Sequence, residues 1–188
     1  MFSHLLVPIA HHADTARAVF PAAAMARAFE ATVVVVTHPS AGIDPEDLVA
    51  RVGTADIAAV RLDDDDDVVS ALSRVADPTG NALVVCTGAL ATSLLEGWKG
   101  PLLIFGGGTD PDSYSVGGTI LVDAAVHARR DDELIELGRA FGFAFEPVDD
   151  VTTAIGSPGQ VIVVRRSQTD HVDQLVARWP GPIYLLGG

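Results

Sequence analysis

The sequence has few of the residues that would tie a protein to disulfides, nucleic acid or a membrane. Its single cysteine, Cys86, excludes a disulfide framework. Lys99 is the one lysine, and 12 basic residues stand against 25 acidic ones, for a formal charge of −13. That charge disfavours nucleic acid and anionic membranes, whose binding depends on neutralising phosphate. No apolar stretch is long enough to span a membrane, and the first residues lack a signal-peptide pattern. We therefore expect a cytoplasmic protein without nucleic-acid or membrane partners.

What the sequence does contain is an internal repeat. The block WKGPLLIFGG from Trp98 to Gly107 returns as WPGPIYLLGG from Trp179 to Gly188. Shorter matches follow the same order, among them Leu5–Val7 with Ile120–Val122 and Ala82–Val85 with Val161–Val164. A single long period of this kind indicates a tandem pair of related units. We therefore divide the chain into a first half at residues 1–108, a linker at 109–118 and a truncated second half at 119–188.

Both halves alternate between apolar, β-branched runs and segments of helical composition. In the first half we predict strands at His4–Ala10, Thr32–Thr37, Asp56–Leu62, Ala82–Thr87 and Leu102–Phe105, and helices at Asp14–Glu30, Pro45–Gly53, Val68–Ala76 and Leu90–Trp98. In the second half we predict strands at Thr119–Ala124, Phe145–Val148, Val161–Arg165 and Ile183–Leu186, and helices at Arg130–Phe141 and Thr169–Trp179. Unbroken apolar strands separated by helices favour an α/β, Rossmann-like fold with parallel sheets covered on both faces.

The order and spacing of these strands carry a family resemblance. HLLVPI at His4–Ile9, ATVVVV at Ala31–Val36, LVVCTG at Leu83–Gly88 and GPLLIF at Gly100–Phe105 resemble strands of the universal stress protein family. The resemblance implies an open five-stranded parallel sheet of the adenine nucleotide α-hydrolase-like (HUP) type. It also implies pairing through the last strand, which tandem members make inside one chain. We therefore expect Leu102–Phe105 to pair with Ile183–Leu186 as an internal pseudo-dimer, and leave open whether two chains also form a homodimer.

Some members of that family bind ATP, and the residues that do so are mostly missing here. The family pattern has an Asp at the end of the first strand, where this chain has Ala10 and Ala125. After the fourth strand it has a series of glycines, of which Gly88 is present but is followed three residues later by Ala91. The second half has no glycine between Val164 and Gly181. Since glycines let backbone N–H groups approach phosphate closely, we expect no ATP binding in the family's usual manner and no other cofactor.

These observations favour a regulatory or interaction protein with no catalytic residues. Two alternatives stay open. One is a stress sensor that binds adenine nucleotides through altered contacts, with Ala10, His11, Asp14, Thr87 and Gly88 as the candidate pocket lining. The other is an enzyme of the adenine nucleotide α-hydrolase-like group, for which the sequence offers only His11, His12 and Asp14 as acid–base groups.

Two polar motifs have a structural and a chemical interpretation. His11-His12-Ala13-Asp14 could supply one imidazole and one carboxylate to a metal, but adjacent histidines diverge, so we favour a solvated loop with Asp14 as a helix N-cap. The five aspartates at Asp63–Asp67 could bind a cation, but consecutive carboxylates cannot all face one ion. We interpret them as a solvated approach to the next helix, and expect no metal site.

Three further features receive structural interpretations. The loop Gly106–Ser113 superficially resembles that of ATP pyrophosphatases, but we assign it to the linker because Pro111 interrupts it. Trp98 and Trp179 are each predicted to end a short helix and pack under the following strand. Pro21 is expected to kink the first helix or mark a restart within it.

Overall fold

The computed structural model describes residues 2–52, 56–76, 81–106, 118–129, 132–141, 144–151, 153–154, 156, 160–167 and 172–186. Its strands are β1 His4–Ile9, β2 Thr32–Thr37, β3 Ile57–Arg61, β4 Ala82–Thr87, β5 Leu102–Phe105, β6 Thr119–Asp123, β7 Ala144–Val148, β8 Val161–Val164 and β9 Pro182–Leu185. Its α-helices are α1 Phe20–Phe29, α2 Pro45–Val52, α3 Val68–Val75, α4 Gly88–Gly97, α5 Ala124–Arg129, α6 Asp132–Phe141 and α7 Val172–Arg178. The predicted linker at 109–118 lies, except for Gly118, outside these residues, as does most of the Gly106–Ser113 loop.

The described strands form one continuous sheet in the order β3-β2-β1-β4-β5-β9-β8-β6-β7. Neighbouring strands run parallel except β5 and β9, which are antiparallel, with Leu102 opposite Leu185 and Phe105 opposite Pro182. This arrangement confirms the α/β class. The strands join in a single sheet instead of two separate ones, since β5 and β9 supply a shared hydrogen-bonded ladder.

Helices cover both faces of the sheet. Successive strand residues point to opposite sides, so each face has apolar side chains that helices bury. Leu5 and Val7 belong to the apolar core shared with α1, α2 and α6, whereas Leu6 belongs to the core shared with α3, α4 and α7. Every residue of β4 and β5 is buried, as expected for central strands covered on both sides. The carboxyl ends of β1, β2 and β4 therefore emerge at one edge between two helical layers.

The first predicted helix is divided in two. A π-helix at Thr15–Val19 precedes α1, which starts at Phe20 with Pro21 in its first turn. Proline lacks the N–H that a continuous α-helix would need and tolerates the first turn of a new one. The predicted restart is thus confirmed.

One helix was not predicted. Helix α5 follows β6 directly, and Oδ1 of Asp123 accepts hydrogen bonds from the backbone N–H groups of Ala125 and Val126, at 2.8 and 3.3 Å. Asp123 therefore caps a helix that the low apolar periodicity of the AAVHAR segment did not indicate. Ala125 lies on that helix and is exposed.

The two tryptophans of the repeated block are buried at the ends of their helices, as predicted. Trp98 follows α4 and donates from Nε1 to the Pro101 carbonyl at 3.3 Å. Trp179 follows α7 and donates to the Gln160 carbonyl at 3.1 Å. Both rings belong to the core beneath β5 and β9, so the repeat preserves packing at the turn before each strand.

Candidate functional site

The strand order of the first half reverses between β1 and β4, and that is the point at which open α/β sheets bind ligands. Two hydrogen bonds to one carboxylate lie at this point. The Thr87 hydroxyl at the end of β4 donates to Oδ1 of Asp14 at 3.0 Å. The His11 backbone N–H donates to Oδ2 of the same carboxylate at 2.9 Å. Asp14 thus joins the turn after β1 to the neighbouring strand, and its side chain is inside the protein, with the residue only 6% exposed.

This placement corrects the prediction that Asp14 caps the following helix. Asp14 precedes the π-helix at Thr15 in a helical backbone conformation, and its side chain makes no cap hydrogen bond. An N-cap side chain reaches the second or third helical N–H from an extended backbone, which Asp14 does not have. The histidines of the same turn, His11 and His12, are exposed as expected.

Two buried hydroxyls at the same edge have no hydrogen-bond partner among the described residues. They belong to Thr15, at the start of the π-helix and 7% exposed, and to Thr37, at the end of β2 and 1% exposed. A buried hydroxyl without a partner is unfavourable by about 1–3 kcal/mol. Buried, unsatisfied polar groups are uncommon in folded proteins, so these two mark the edge as a candidate for an added ligand.

The strand register places Thr37 and Thr87 in one row, with Ile9 between them. Ile9 is opposite Thr37, and the register of β1 with β4, continued by three residues, brings Thr87 level with Ile9 on its other side. Thr37 and Thr87 point to the same face as Ile9, because each is an even number of residues from core neighbours on that face. The backbone carbonyl of Thr37 accepts the N–H of Leu62 at 2.9 Å. Leu62 is the residue before the aspartate run.

The aspartate run leads into α3, as predicted, and its last member has a further role that was not predicted. The Asp67 carboxylate accepts the Ser70 backbone N–H at 2.9 Å and caps α3, which holds the pKa of Asp67 below its usual value. The backbone N–H of Asp63 and the Arg74 guanidinium lower the pKa of Asp66, with the Arg74 ion pair at 2.7 Å. Asp63, Asp64 and Asp65 are exposed. No group of three or more potential metal ligands is close enough to hold an ion within the part of the chain that the structure describes.

Cys86 lies next to Thr87 in β4 and is not a nucleophile. Its thiol is fully buried on the opposite face of the sheet, and burial, with a smaller contribution from the Asp14 charge, raises its pKa far above the usual value. It therefore remains a protonated thiol at physiological pH.

Gly88, the last residue of the predicted pocket lining, lies against the second half of the chain. A Cβ added at Gly88 would be 2.7 Å from Cγ1 of Val176 in α7, and one added at Gly106 would be 2.5 Å from the Val176 carbonyl oxygen. The C-terminal turn of α7 therefore fills the space over the end of β4. Of the predicted lining, Asp14 is joined to Thr87 and His11 by hydrogen bonds. Ala10 is half-buried, and Gly88 allows close packing against Val176.

Arg166, which follows β8, was not identified from the sequence. Its Nη1 donates to the Leu95 carbonyl at 3.3 Å and its Nη2 donates to the Gly100 carbonyl at 2.6 Å, so it caps the C-terminal end of α4 from the other half of the chain. Partial burial lowers the pKa of its guanidinium. The Arg-Arg pair after an apolar strand was the available signal. Nothing in the local sequence indicated the unpaired hydroxyl of Thr37, since the valine run Val33–Val36 has a threonine at each end.

Comparison with known proteins adds no family assignment: no protein-family model matches the chain, and no curated protein is similar enough to match it. Among the described residues, no helix has the length and apolar character needed to cross a membrane.

Proposed function

We propose that the protein is a universal-stress-protein-like regulatory or interaction module whose two halves form an internal pseudo-dimer. The observation that carries the proposal is the strand order. The order β2-β1-β4-β5 in the first half is matched by β7-β6-β8-β9 in the second, and the two series meet antiparallel at β5 and β9. Two related units joined about a pseudo-twofold axis produce that pattern.

Contacts between the halves on both faces of the sheet support the proposal. On one face α1 contacts α6, and on the other α4 contacts α7. The hydroxyl of Tyr184 in β9 donates to the Glu133 carboxylate in α6. The Thr92 hydroxyl in α4 donates to the Asp173 carboxylate in α7 at 3.3 Å. The apolar core on each face of the sheet contains residues of both halves. The pairing of β5 with β9 leaves neither strand with an exposed edge.

The surroundings of Gly88 favour a function without ATP. A Cβ added at Gly88 would be 2.7 Å from Cγ1 of Val176, so little space is left beside this glycine, and Val176 lies in the last turn and a half of α7. The carbonyl groups at a helix C-terminus carry partial negative charge, which is unfavourable beside phosphate. Together with alanine at position 10, where nucleotide-binding relatives have aspartate, this arrangement favours a module that acts by contact with other molecules and catalyses no reaction.

Nucleotide binding is the sharpest test. We expect no saturable rise in the melting temperature of the purified protein with ATP, ADP, AMP or cyclic AMP in the presence of Mg²⁺. Val176→Ala is the matched variant, because it shortens the side chain that lies against Gly88. A saturable rise in the wild-type protein would instead support a nucleotide sensor with altered contacts, and release of inorganic phosphate would support an enzyme.

A cross-strand disulfide tests the internal pairing. Leu102 and Leu185 are directly opposite in the antiparallel pair, so cysteines at both positions are within reach of each other. We expect oxidation of the Leu102→Cys/Leu185→Cys protein to give a cross-linked monomer with both new thiols lost. A covalent dimer would show that the paired strands come from different chains.

A further inference from the structure

We propose that β3, at one end of the sheet, is an interface at which a second copy of this chain pairs antiparallel through its own β3. The twofold axis of the pair passes through Ala59, and the two nine-stranded sheets join into one. This inference goes beyond the proposed function, because it concerns a contact between two chains and not the contact between the halves of one chain.

The backbone of β3 presents a row of hydrogen-bonding groups at the outer edge of the sheet. On the inner side, the Asp56 carbonyl accepts an N–H from β2 and the Leu62 N–H donates to a carbonyl of β2, each at 2.9 Å. Alternate residues of a parallel ladder face the neighbouring strand, so residues at even spacing from these two face β2. The N–H and C=O groups of Ile57, Ala59 and Arg61 therefore point outward, where no described strand pairs with them.

The opposite end of the sheet, β7, is protected against such pairing. The Ala144 N–H donates to the Gly118 carbonyl at 3.0 Å and so faces β6, which leaves Pro147, at odd spacing from it, facing outward. A proline at an outward position removes a donor that an added strand would need. β3 has no proline, and its middle residues are the small, exposed Ala58 and Ala59. An added strand therefore meets a complete row of donors and acceptors at β3 and an interrupted row at β7.

A second copy of β3 fits this edge because the outward residues are arranged symmetrically about Ala59. A twofold axis at Ala59 places this residue opposite itself and places Ile57 opposite Arg61 of the second copy. Each opposite pair exchanges two hydrogen bonds, so all three outward residues of both strands are satisfied. A register centred one residue to either side pairs only two of the three. The strand is thus complementary to itself, as a closed twofold dimer requires.

The chain already uses this kind of contact once. β5 and β9 join two sets of parallel strands by an antiparallel ladder, and every residue of both strands is buried. β3 lies at the far end of the same sheet, with Ala58, Ala59 and Arg61 exposed. A second copy would cover the free edge of β3 as β9 covers the edge of β5.

The distribution of charge favours the antiparallel direction. The exposed aspartates Asp63–Asp65 follow β3 at its carboxyl end. Antiparallel pairing about Ala59 keeps the two acidic runs at opposite ends of the interface, about 26 Å apart along the strands, whereas parallel pairing would bring them side by side. The Arg61 side chain lies on the same face as Ile57 of the second copy, where its methylene groups cover apolar surface.

Disulfide trapping tests the register of the pair. Ala59→Cys places two thiols opposite each other, with Cα atoms about 5.5 Å apart, which a disulfide can span. Ala58→Cys is the matched control, because it is equally exposed but offset by two residues in the pair, with Cα atoms about 8 Å apart and out of reach. The native Cys86 is buried and does not compete. We expect mild oxidation to give at least about fivefold more covalent dimer with Ala59→Cys than with Ala58→Cys.

Sedimentation velocity over a range of protein concentrations measures the non-covalent dimer. We expect a reversible, weak dimer, because a five-residue ladder is smaller than a standard interface. Salt should strengthen it by screening the repulsion between two chains of formal charge −13. Ala59→Pro removes the central outward donor, which makes no bond to β2, and should weaken the dimer at least about tenfold. Circular dichroism checks that this variant is folded.

A wild-type protein that stays monomeric at every concentration would overturn the proposal. Equal cross-linking of the Ala58 and Ala59 variants would also overturn it, since that pattern is random collision. A dimer that Ala59→Pro leaves unchanged would place the interface elsewhere, with the same consequence. None of these outcomes bears on the nucleotide test or on the disulfide between β5 and β9, which test the proposed function separately.

Discussion

Helices α4 and α7 contact each other, and the two ends of α4 are held against the second half by different residues. At one end Val176 of α7 lies against Gly88 and Gly106, whose missing side chains let the helix approach the backbone. At the other end the Arg166 guanidinium extends between the halves and binds the carbonyls of Leu95 and Gly100. Gly88, after β4, thus makes its contact possible by having no side chain, whereas Arg166, after β8, makes its contact with a long, charged side chain.

The difference shows that one pair of helices can be held at its two ends by different chemistry. Close apolar packing tolerates no added atoms, whereas an arginine reaches acceptors over a variable gap. The first end is closely packed without charge, and the second end keeps a partly buried positive charge. The following changes probe the two ends in order of decreasing expected effect.

Gly106→Ala should have the largest effect. Its Cβ would lie 2.5 Å from the Val176 carbonyl oxygen, a backbone atom that cannot move without shifting α7. We expect the free energy of unfolding to fall by about 3 kcal/mol, the upper range for overpacking a core. Urea denaturation measures it. A loss below about 0.5 kcal/mol, the usual range for surface changes, would show that α7 does not hold this position.

Arg166→Met tests the other end. The variant keeps an unbranched side chain but leaves the Leu95 and Gly100 carbonyls without the guanidinium donors. We expect a loss of about 1.5 kcal/mol in the free energy of unfolding, reduced from the full value of a charged hydrogen bond because the side chain is half exposed. Arg166→Lys is the matched control and should recover part of it. Equal losses in both variants would attribute the effect to packing.

Gly88→Ala should be milder than Gly106→Ala, because its close neighbour is the Val176 side chain and not its backbone. We expect a loss of about 1 kcal/mol. Combining it with Val176→Ala should relieve the clash, so the two changes together should be less destabilising than their sum. Additive effects in this double-mutant cycle would mean that the two residues do not touch.

Asp67→Ala provides a comparison away from both ends and has the smallest expected effect, about 0.5 kcal/mol for an exposed cap. The pKa of Asp67 is below its usual value of 3.8 in the folded protein, so its contribution is present above that pH and lost as the pH falls through the folded-state pKa. Urea denaturation at pH 7 and pH 3 measures it. The Arg166→Met effect should stay constant between these pH values, since arginine remains charged.

Strands were predicted more accurately than helix starts and side-chain roles. β2, β4 and β5 have the predicted boundaries because each is an unbroken apolar run between polar or turn residues. Helix α4 begins two residues before the predicted start, at Gly88, and α5 was missed. Helix ends depend on caps, and a cap depends on where a side chain finds its partner.

Asp14 shows why the candidate site was predicted only in part. The sequence placed it correctly at the carboxyl edge, yet its partner Thr87 is 73 residues away, so local spacing suggested a cap instead. Gly88 was proposed as candidate pocket lining for the same reason, because its neighbour Val176 comes from the other half of the chain. Orphaned hydroxyls such as that of Thr37 are defined by what surrounds them and have no local signature.

The sequence alone determined the alternation of strands and helices, their burial on both faces and the repeated Trp-x-Gly-Pro turn. Those follow from apolar periodicity and from the few residues that turns accept, which are local properties. The tertiary structure decided that β5 and β9 run antiparallel, that α7 fills the space over Gly88 and that Asp14 faces Thr87. Each of these is a contact between distant segments, whose free energy depends on a shape that exists only once the sheet has formed.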